Sequence, residues 1–344
     1  MTIRYLLSFT LPLVAALALT PWVGKLAHRI GLLDRPGAGS HKTHVQVTPY
    51  LGGLAVAGGL VIVAVFTVGT EAELLAILGN AIALGILGAL DDAFSLHPVV
   101  RLSYQALTGV SLWVVGIQAG VANTPWIDLP ATVLWVVAVV NAYNFIDNMD
   151  GVAASTAFAA TAGVAAIAAS NGDYLVGSFA FAVAGACIGF LRSNLPPASI
   201  FLGDAGSMLL GSLVASLTLK LDLPVTEALP RALTVVLLAA VPLFDLGLVT
   251  LDRLRGRRSP FRGGTDHLTH RLAARGWSRR SIPLLFGVLQ MGLAALAFVV
   301  FRLSLAVVLG VTVAGAFAWL VLLGVSLRMP AMVRLERDGE GAPG

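Results

Sequence analysis

The sequence predicts an all-α fold, a polytopic bundle of about 10–11 transmembrane helices with a cytoplasmic active-site cleft. Hydrophobic residues make up 57% of the 344 residues, charged residues make up 12%, and the mean hydropathy is +0.88. Apolar runs long enough to cross a bilayer recur along the chain. Lys and Arg gather in alternate loops, a pattern typical of multi-pass membrane proteins.

Each apolar run of about 17 to 25 residues is interpreted as one membrane span. The predicted spans are 4–23, 51–69, 74–90, 102–121, 130–147, 151–170, 174–191, 205–221, 231–250, 281–301 and 304–327. The start of the chain also resembles a signal peptide, but the many later spans favour a retained first helix. We predict a single integral-membrane domain over 1–328 and a disordered cytoplasmic tail over 329–344, which is polar and rich in Gly.

The cationic residues predict the orientation, because Lys and Arg accumulate on the cytoplasmic side. With the amino terminus outside, only Arg4, Lys220, Arg231 and Arg302 of the 22 Lys and Arg residues face outward. This assignment places five aspartates at cytoplasmic helix ends. They are Asp91, Asp92, Asp147, Asp150 and Asp204. The acids are therefore expected to face the cytoplasm, and the membrane is expected to be the plasma (inner) membrane.

Two of the acidic groups stand at the ends of predicted helices. Asp91 and Asp92 end a helix in LGALDDAFSLHP, where the helix dipole and their mutual repulsion require a cation or a proton. Asp204, in FLGDAGS, has a simpler alternative as the cap of the next helix. In the functional interpretation Asp204 holds a metal, while nearby glycines and Ser207 let helix-start amides approach a diphosphate.

The third group is the stretch NAYNFIDNMDG. Asn141, Asn144 and Asp147 repeat every three residues, and Asp150 follows one step later. This spacing stacks the side chains on neighbouring positions of one helix face. Amides within a span must bond to another helix or line a wet cavity. The alternatives are contacts that hold helices together and a polar cleft.

Basic residues occupy the same predicted face as the acids. Arg192, Lys42 and a run of arginines from Arg253 to Arg271 suit phosphates or anionic lipid headgroups. A divalent cation reconciles acids with anionic ligands, because Mg²⁺ prefers a few carboxylates plus substrate phosphate oxygens. The combination therefore predicts a phosphoryl-transfer site.

The last cytoplasmic loop is predicted to contain a short helix, capped by Asp266 and stopped by Gly276. Its residues His267, His270 and Arg271 then share one face. A zinc site lacks an adequate third ligand. A helix on the lipid surface is a further alternative, and contact with an anionic ligand over the cleft is the preferred role.

Six ordered motifs resemble one enzyme family. They are HKTHVQVTPYLGG, LGALDDAFSLHP, NAYNFIDNMDG, NLPPASIFLGDAGS, PLFDLGLV and DHLTHRL. From about Asp34 to Gly276 the chain resembles the polyprenyl-phosphate N-acetylhexosamine-1-phosphate transferases, that is, glycosyltransferase family 4. The resemblance implies transfer of a sugar 1-phosphate from a UDP-sugar to a polyprenyl phosphate at the cytoplasmic face, with Mg²⁺ as cofactor, Mn²⁺ as a substitute, and UMP as product.

The resemblance also implies roles for individual residues. Asp204 would be the main metal ligand, with Asn144 or Asp147 as a second, and Asp91 and Asp92 would deprotonate or position the lipid phosphate. The residues expected to bind substrate are Lys42, His44, Asp150, Asn194, Phe201, His267, His270 and Arg271. Two positions depart from the family pattern: Tyr50 stands where Arg is usual, and Thr269 stands where a further His is common.

The predicted reaction is transfer of GlcNAc-1-phosphate from UDP-GlcNAc to undecaprenyl phosphate, through catalytic residues Asp91, Asp92 and Asp147. The first alternative is the phospho-MurNAc-pentapeptide transferase, which tends to carry consecutive histidines in the last loop. The second is a cation-coupled transporter, which would hold its acids near the membrane midplane on broken helices. The expected partners are UDP-GlcNAc, the polyprenyl phosphate lipid and the membrane, with no nucleic acid, and a homodimer is left open.

Overall fold

The computed structural model describes residues 2–34, 47–67, 71–225, 227–261 and 263–329. In this part of the chain the helices are α1 (Thr2–Ile30), α2 (Gly52–Thr67), α3 (Ala72–Phe94), α4 (Pro98–Val114), α5 (Pro125–Ile146), α6 (Val152–Ser170), α7 (Tyr174–Asn194), α8 (Gly203–Lys220), α9 (Ala228–Leu237), α10 (Ala240–Arg255), α11 (Leu268–Ala274), α12 (Ser281–Val300) and α13 (Leu305–Arg328). The strands β1 (Leu33–Asp34) and β2 (Thr48–Pro49) form a short antiparallel pair. The predicted all-α class is confirmed.

Most of the helices suit a membrane. Among the described residues, seven helices are long and apolar enough to cross a bilayer, and up to eight spans result if the bent pair α9 and α10 is counted as one. The predicted spans that fall outside this set correspond to α2, α4 and α8. Helices α2 and α4 are short, and α8 carries buried Ser212, Ser216 and Thr218. The chain is therefore a multi-pass membrane protein.

The predicted span 231–250 is not one continuous helix, because the chain bends by 80° between α9 and α10. Pro242 lies in the first turn of α10 and cannot donate a backbone hydrogen bond to the preceding turn. Gln290 of α12 fills the break: its amide donates to Leu237 O at 3.0 Å, and its oxygen accepts from Val241 N at 3.1 Å. A buried side chain thus satisfies backbone groups that a continuous helix would pair internally.

The core consists of tightly packed helices rich in small residues. In both α6 and α7, 78% of the most apolar 18-residue stretch is buried inside the protein. Most residues of α8 are buried as well. Helix α1 packs directly on α7 because a Cβ on Gly185 would lie 2.0 Å from Phe9 O. Small residues allow such close approach in membrane bundles. By contrast, only 6% of the most apolar 18-residue stretch of α13 is buried.

The up-and-down course of the helices brings several polar ends to one end of the bundle. The carboxyl ends of α3, α5 and α7 meet the amino end of α8 there, as the contacts between their residues show. The disordered tail was predicted over 329–344. Apart from Met329, it lies outside the described residues.

Candidate active site

Two of the sequence motifs pair with each other through their backbones. Phe201 N donates to Pro49 O at 2.9 Å, Gly52 N donates to Phe201 O at 2.9 Å, and Gly53 N donates to Leu202 O at 3.0 Å. A Cβ on Gly53 would lie 2.3 Å from the backbone of α8. The two glycines therefore allow the start of α2 to lie against the start of α8.

Two further glycines bring the aspartates of α3 and α8 together. A Cβ on Gly88 would lie 2.2 Å from Asp204 O, so α3 and α8 touch backbone to backbone. Gly203 has a φ of +73°, and a Cβ there would lie 2.8 Å from the Asp92 carboxylate. Both positions require glycine, the first for space and the second also for its conformation.

Asp92 caps α8 from a neighbouring helix. Its carboxylate accepts from Asp204 N at 3.2 Å and from Ala205 N at 3.3 Å. The alternative in which Asp204 caps its own helix is therefore wrong, since α8 already contains Asp204. The same contacts occupy two of the amides that were predicted to approach a diphosphate.

Asn144 orients the Asp204 carboxyl group. Its amide nitrogen donates to Asp204 Oδ1 at 2.7 Å and to Ser207 Oγ at 3.1 Å. The predicted polar face of α5 thus does reach another helix. Asn141 does so as well, because its amide donates to Gln105 Oε1 of α4 at 2.6 Å. A role for Asn144 as a metal ligand stays a prediction.

Asp91 and Asp92 have different surroundings. Asp91 Oδ2 accepts from Arg101 Nη1 at 2.6 Å, and Asp91 Oδ1 accepts from Leu96 N at 2.7 Å. The Asp91 side chain is 5% exposed and lies beside the Asp204 carboxyl group, but it does not line the cavity described next. Arg101 supplies the positive charge that Asp91 was predicted to need, and a catalytic role for Asp91 stays a prediction.

A cavity of about 340 Å³ opens at this end of the bundle. Its acidic lining residues are Asp34, Asp92, Asp147, Asp150 and Asp204. Among the described lining residues, His270 and Arg279 are the basic ones, and Tyr50 and Phe201 are the aromatic ones. Four of the five acids predicted to converge therefore line the cavity, and the fifth, Asp91, lies beside Asp204.

Asp150 and Asn194 reach the cavity and also fix its rim. Asp150 Oδ2 accepts from Ala198 N at 3.0 Å. Asn194 Oδ1 accepts from Gly151 N at 3.0 Å, and its amide donates to Ile200 O at 3.0 Å. Each residue ties the turn before α6 or the end of α7 to the segment before α8. Their predicted contact with substrate stays a prediction.

The crowding of acids has an electrostatic consequence at Asp147, which follows the end of α5. Burial first, and then the charges of Asp204, Asp92 and Asp150, raise the pKa of Asp147 well above its ordinary value. A bound cation or a proton would relieve this repulsion. The cavity is therefore poised to accept positive charge.

The two predicted histidines differ in accessibility. His267 Nδ1 lies 2.7 Å from Asp245 Oδ2, a fully buried carboxylate of α10, and the ring does not line the cavity. His270 does line it. Burial, and next the charge of His267, lower the pKa of His270 to about 4, so its ring is neutral near pH 7.

Arg271 is not placed to bind a ligand in the cavity, so that prediction is wrong. Its side chain is fully buried and points to backbone carbonyls at the end of α13. Asp266 does not cap α11 as predicted, because His267 occupies that position and Asp266 pairs with Arg253 instead. Burial raises the pKa of Asp266, but the hydrogen bonds and charge of Arg253 outweigh burial and lower it below its ordinary value.

Sequence reasoning missed four residues of the site. Asp34 follows α1 at the same end of the bundle. The other acids were selected because they stand at predicted cytoplasmic helix ends, and the same criterion would have found Asp34. The Tyr50 hydroxyl donates to Asp34, and burial followed by the Asp34 charge raises the pKa of Tyr50. Asp245 lies in the motif PLFDLGLV, but nothing in the sequence pairs it with His267. Arg279 lies among many arginines, and only the fold distinguishes it.

Lys42 and His44, both predicted to bind substrate, lie outside the described residues.

The donor set of the cavity suits Mg²⁺. Among the described residues, no group of three or more His, Cys, Asp or Glu is arranged so that it could hold a metal ion by itself. Mg²⁺ does not need such a group, because it is usually held by one or two carboxylates, water and substrate phosphates. Carboxylates Asp92, Asp147 and Asp204 line one cavity and offer the hard oxygen ligands that this ion prefers.

Comparisons with known proteins agree with this geometry. The family model described as glycosyl transferase family 4 matches residues 74–222. The chain is 32% identical over 288 residues to a probable undecaprenyl-phosphate N-acetylglucosaminyl 1-phosphate transferase of Bacillus subtilis, covering 81% of this chain and 80% of the relative. It is 30% identical to a decaprenyl-phosphate N-acetylglucosaminephosphotransferase of Mycobacterium tuberculosis H37Rv, covering 92% and 88%.

A phospho-N-acetylmuramoyl-pentapeptide-transferase of Acetivibrio thermocellus is 27% identical, with 87% of this chain and 95% of the relative covered. These similarities extend over most of each protein, and the family match at 74–222 includes Asp92, Asp147, Asp150 and Asp204 of the cavity. The chain belongs to glycosyl transferase family 4, among the polyprenyl-phosphate N-acetylhexosamine-1-phosphate transferases.

Proposed function

We propose that the protein transfers GlcNAc-1-phosphate from UDP-GlcNAc to undecaprenyl phosphate, or another polyprenyl phosphate, and releases UMP. The two relatives described above at 30% and 32% identity are named as polyprenyl-phosphate GlcNAc-1-phosphate transferases. The chain resembles them along most of its length, and this supports the same donor and acceptor here.

The single observation behind the proposal is the cavity at the end of a membrane bundle. A water-soluble nucleotide sugar and a phosphate anchored in lipid can meet there. Acids from separate segments, Asp34, Asp92, Asp147 and Asp204, line the cavity, and Arg279 and His270 line it as well. This mixture of carboxylates and anion-binding groups suits phosphoryl transfer with a divalent cation.

Mg²⁺ is the proposed cofactor, with Mn²⁺ as a substitute. Asp204 would hold it, and Asp92 and Asp147 are the candidate additional ligands. When bound, the ion would offset the negative charge of the acids and phosphates and polarise the phosphoryl oxygens. The hydrogen bond from Asn144 would keep Asp204 in the orientation needed for binding.

The proposed chemistry is a single in-line displacement. An oxygen of the lipid phosphate attacks the β-phosphorus of UDP-GlcNAc, a new P–O bond forms, and the bond to the UMP oxygen breaks. A direct displacement requires no protein nucleophile, whereas a two-step route would pass through an aspartyl phosphate. In both routes Arg279 binds a phosphate oxygen, and the neutral His270 ring forms a hydrogen bond to the substrate.

We propose that the cavity faces the cytoplasm at the plasma (inner) membrane. Arginine clusters follow α10 and α11, at the end of the bundle where the acids meet, and this supports a cytoplasmic location. UDP-sugars are made in the cytoplasm, so this orientation supplies the donor directly. The homodimer stays a prediction.

The test is a UMP-release assay with purified protein in detergent. UDP-GlcNAc and undecaprenyl phosphate should give UMP and a lipid-linked sugar in equal amounts. EDTA should abolish the reaction, and added Mg²⁺ or Mn²⁺ should restore it. A parallel reaction with UDP-MurNAc-pentapeptide tests the other branch of the family.

The remaining outcomes are as informative. UMP release only with UDP-MurNAc-pentapeptide would replace the proposed donor. Uptake of labelled substrate into proteoliposomes without UMP release would support a transporter. Full activity in EDTA would remove the metal from the proposal.

A further inference from the structure

Helix α11 brings His270 to the cavity, but the helix is too short to be stable by itself. It has seven residues, from Leu268 to Ala274, and helices shorter than about 12 residues are marginal in isolation. Its position must therefore depend on contacts with the rest of the protein. Two sets of contacts lie on either side of His270 in the sequence.

The first set joins α11 to the cavity wall. The Thr269 hydroxyl donates to Asn148 Oδ1, and Asn148 itself lines the cavity. Asp245 of α10 accepts from Leu268 N at 2.8 Å and contacts His267. These contacts fix the first turn of α11.

The second set joins α11 to α13 through Arg271. Its Nη1 donates to Met329 O at 2.7 Å and to Ser326 O at 3.1 Å, and its Nε donates to Asp266 O at 2.8 Å. The last carbonyls of a helix lack partners within the helix, and a cation there also opposes the negative end of the dipole. Arg271 thus satisfies groups that α13 cannot satisfy itself.

A network of charges, all buried except the exposed Arg258, supports Arg271. Its Nη2 lies 3.3 Å from Asp252 Oδ2, and the same oxygen accepts from Arg258 at 2.7 Å. Arg253 makes a two-point contact with Asp266, at 3.0 and 2.9 Å. Opposite charges lie beside one another throughout this cluster, which makes the attachment of α11 to α10 and α13 strongly directional.

The location of the network is informative because α13 is otherwise peripheral. Only 6% of the most apolar 18-residue stretch of α13 is buried, whereas the last turn of α13 contacts the fully buried guanidinium of Arg271. A helix that served only to fill lipid-facing space would not need this contact. The attachment connects the end of α13 to the helix that carries His270.

We propose that Arg271 is a positioning residue, which holds His270 against the cavity by tying α11 to the last turn of α13. The proposal rests on the proposed function, because it takes His270 as a residue that contacts substrate. The last turn of α13 thereby becomes part of the catalytic apparatus without touching the cavity.

The first experiment is a double-mutant cycle with Arg271→Lys and His270→Gln in detergent-purified protein. Each single variant should raise the KM for UDP-GlcNAc by roughly tenfold, as expected for a displaced contact. The double variant should show little further increase, because residues that act through one another are not additive. Arg275→Gln, an exposed arginine four residues further on, is the matched control and should leave the KM unchanged.

A purely structural role would give a different result. In that case Arg271→Lys would lower the unfolding temperature without raising the KM, or the two increases would multiply in the double variant. Either result overturns the proposal.

A second experiment removes the acceptors and keeps Arg271. A chain ending after Val325 lacks Ser326 and Met329, whereas a chain ending after Met332 keeps both. The first should reproduce the KM increase of Arg271→Lys, and adding Arg271→Lys to it should have no further effect. Equal KM values for the two truncated chains would contradict the proposed attachment.

UMP binding separates this proposal from the proposed function. If the wild-type protein releases no UMP from UDP-GlcNAc, the proposed function fails. The double-mutant cycle can then be measured as UMP affinity by calorimetric titration, because His270 lines the cavity in which UMP is proposed to bind. Additive losses of UMP affinity in the double variant would overturn the positioning role independently of turnover.

Discussion

Two clusters of charged residues lie at the same end of the bundle, and they differ in how their charges are balanced. The acidic cavity contains five aspartates, with only Arg279 and His270 as basic residues among the described lining residues. The ion-pair network contains Asp252 and Asp266 together with three arginines that contact them. These are Arg253, Arg258 and Arg271.

The difference distinguishes a ligand site from a structural site. Burying a charge is costly unless an opposite charge or hydrogen bonds compensate it. In the network the protein supplies that compensation internally. In the cavity, where aspartates crowd together, a bound cation or a proton can supply it. Removing a charge should therefore act mainly on chemistry in the first cluster and mainly on stability in the second, where Arg271 in addition positions His270.

The largest expected effect is on turnover, from Asp204→Asn. Neutralising the central carboxylate should lower kcat by about 10²-fold or more, the loss typical of a key electrostatic group. Unfolding temperature should be unchanged or higher, since the change relieves repulsion among acids. UMP release and thermal unfolding in detergent measure the two effects. Asp222→Asn, on an exposed loop, is the control, and substantial turnover by Asp204→Asn would remove this residue from the mechanism.

The converse change is Asp266→Asn in the ion-pair network. It leaves the buried Arg253 without its charged partner and should cost about 3–5 kcal/mol of stability. Denaturant or thermal unfolding gives the measurement, and the protein that remains folded should keep part of its activity. An unfolding midpoint equal to that of the wild-type protein would show that the ion-pair network does not stabilise the fold.

A third prediction concerns the contact that brings two acids together. Gly88→Ala places a methyl group 2.2 Å from Asp204 O, so α3 must move away from α8. Displacement of Asp92 and Asp204 relative to each other should lower kcat by roughly 10²-fold. Gly79→Ala in the same helix is the matched control, because a Cβ there has no neighbour within 4 Å. Similar activities for the two variants would rule out a role for the close approach.

The smallest expected effect concerns the exposed arginine of the cavity. Arg279→Gln should raise the KM for UDP-GlcNAc by roughly tenfold, the scale of one lost phosphate contact, with a smaller change in kcat. Arg275→Gln removes the same charge from the same loop outside the cavity and should have little effect. Initial rates over a range of UDP-GlcNAc concentrations would show the difference. Equal KM values for the two variants would mean that the cavity does not use Arg279.

Much of the architecture could be predicted because lipid imposes simple rules. Apolar run length identified the seven long apolar helices but also predicted spans at α2, α4 and α8, and the alternation of basic loops placed the acidic motifs at one end. The break between α9 and α10 was not predicted, because it depends on hydrogen bonds from Gln290 of another helix. Pro242 was the one local signal for it. Run length and composition do not report such contacts between distant segments.

The site was predicted in part for the same reason. Asp92, Asp147, Asp150 and Asp204 line one cavity as expected. Asp91 and Arg271 were assigned to the cleft because their charge and helical position fitted it. The sequence does not show that Arg101 binds Asp91, or that Arg271 binds the carbonyls of α13.

The sequence by itself determined that the chain lies in lipid, that it crosses the membrane several times, and which chemical types of residue gather at one end. These follow from hydropathy and charge, which each residue carries wherever it lies. Only the tertiary structure decided which charges face the cavity and which are matched inside the protein. That distinction depends on distances of a few ångströms between helices, and those distances are set by glycine contacts and buried hydrogen bonds across the bundle.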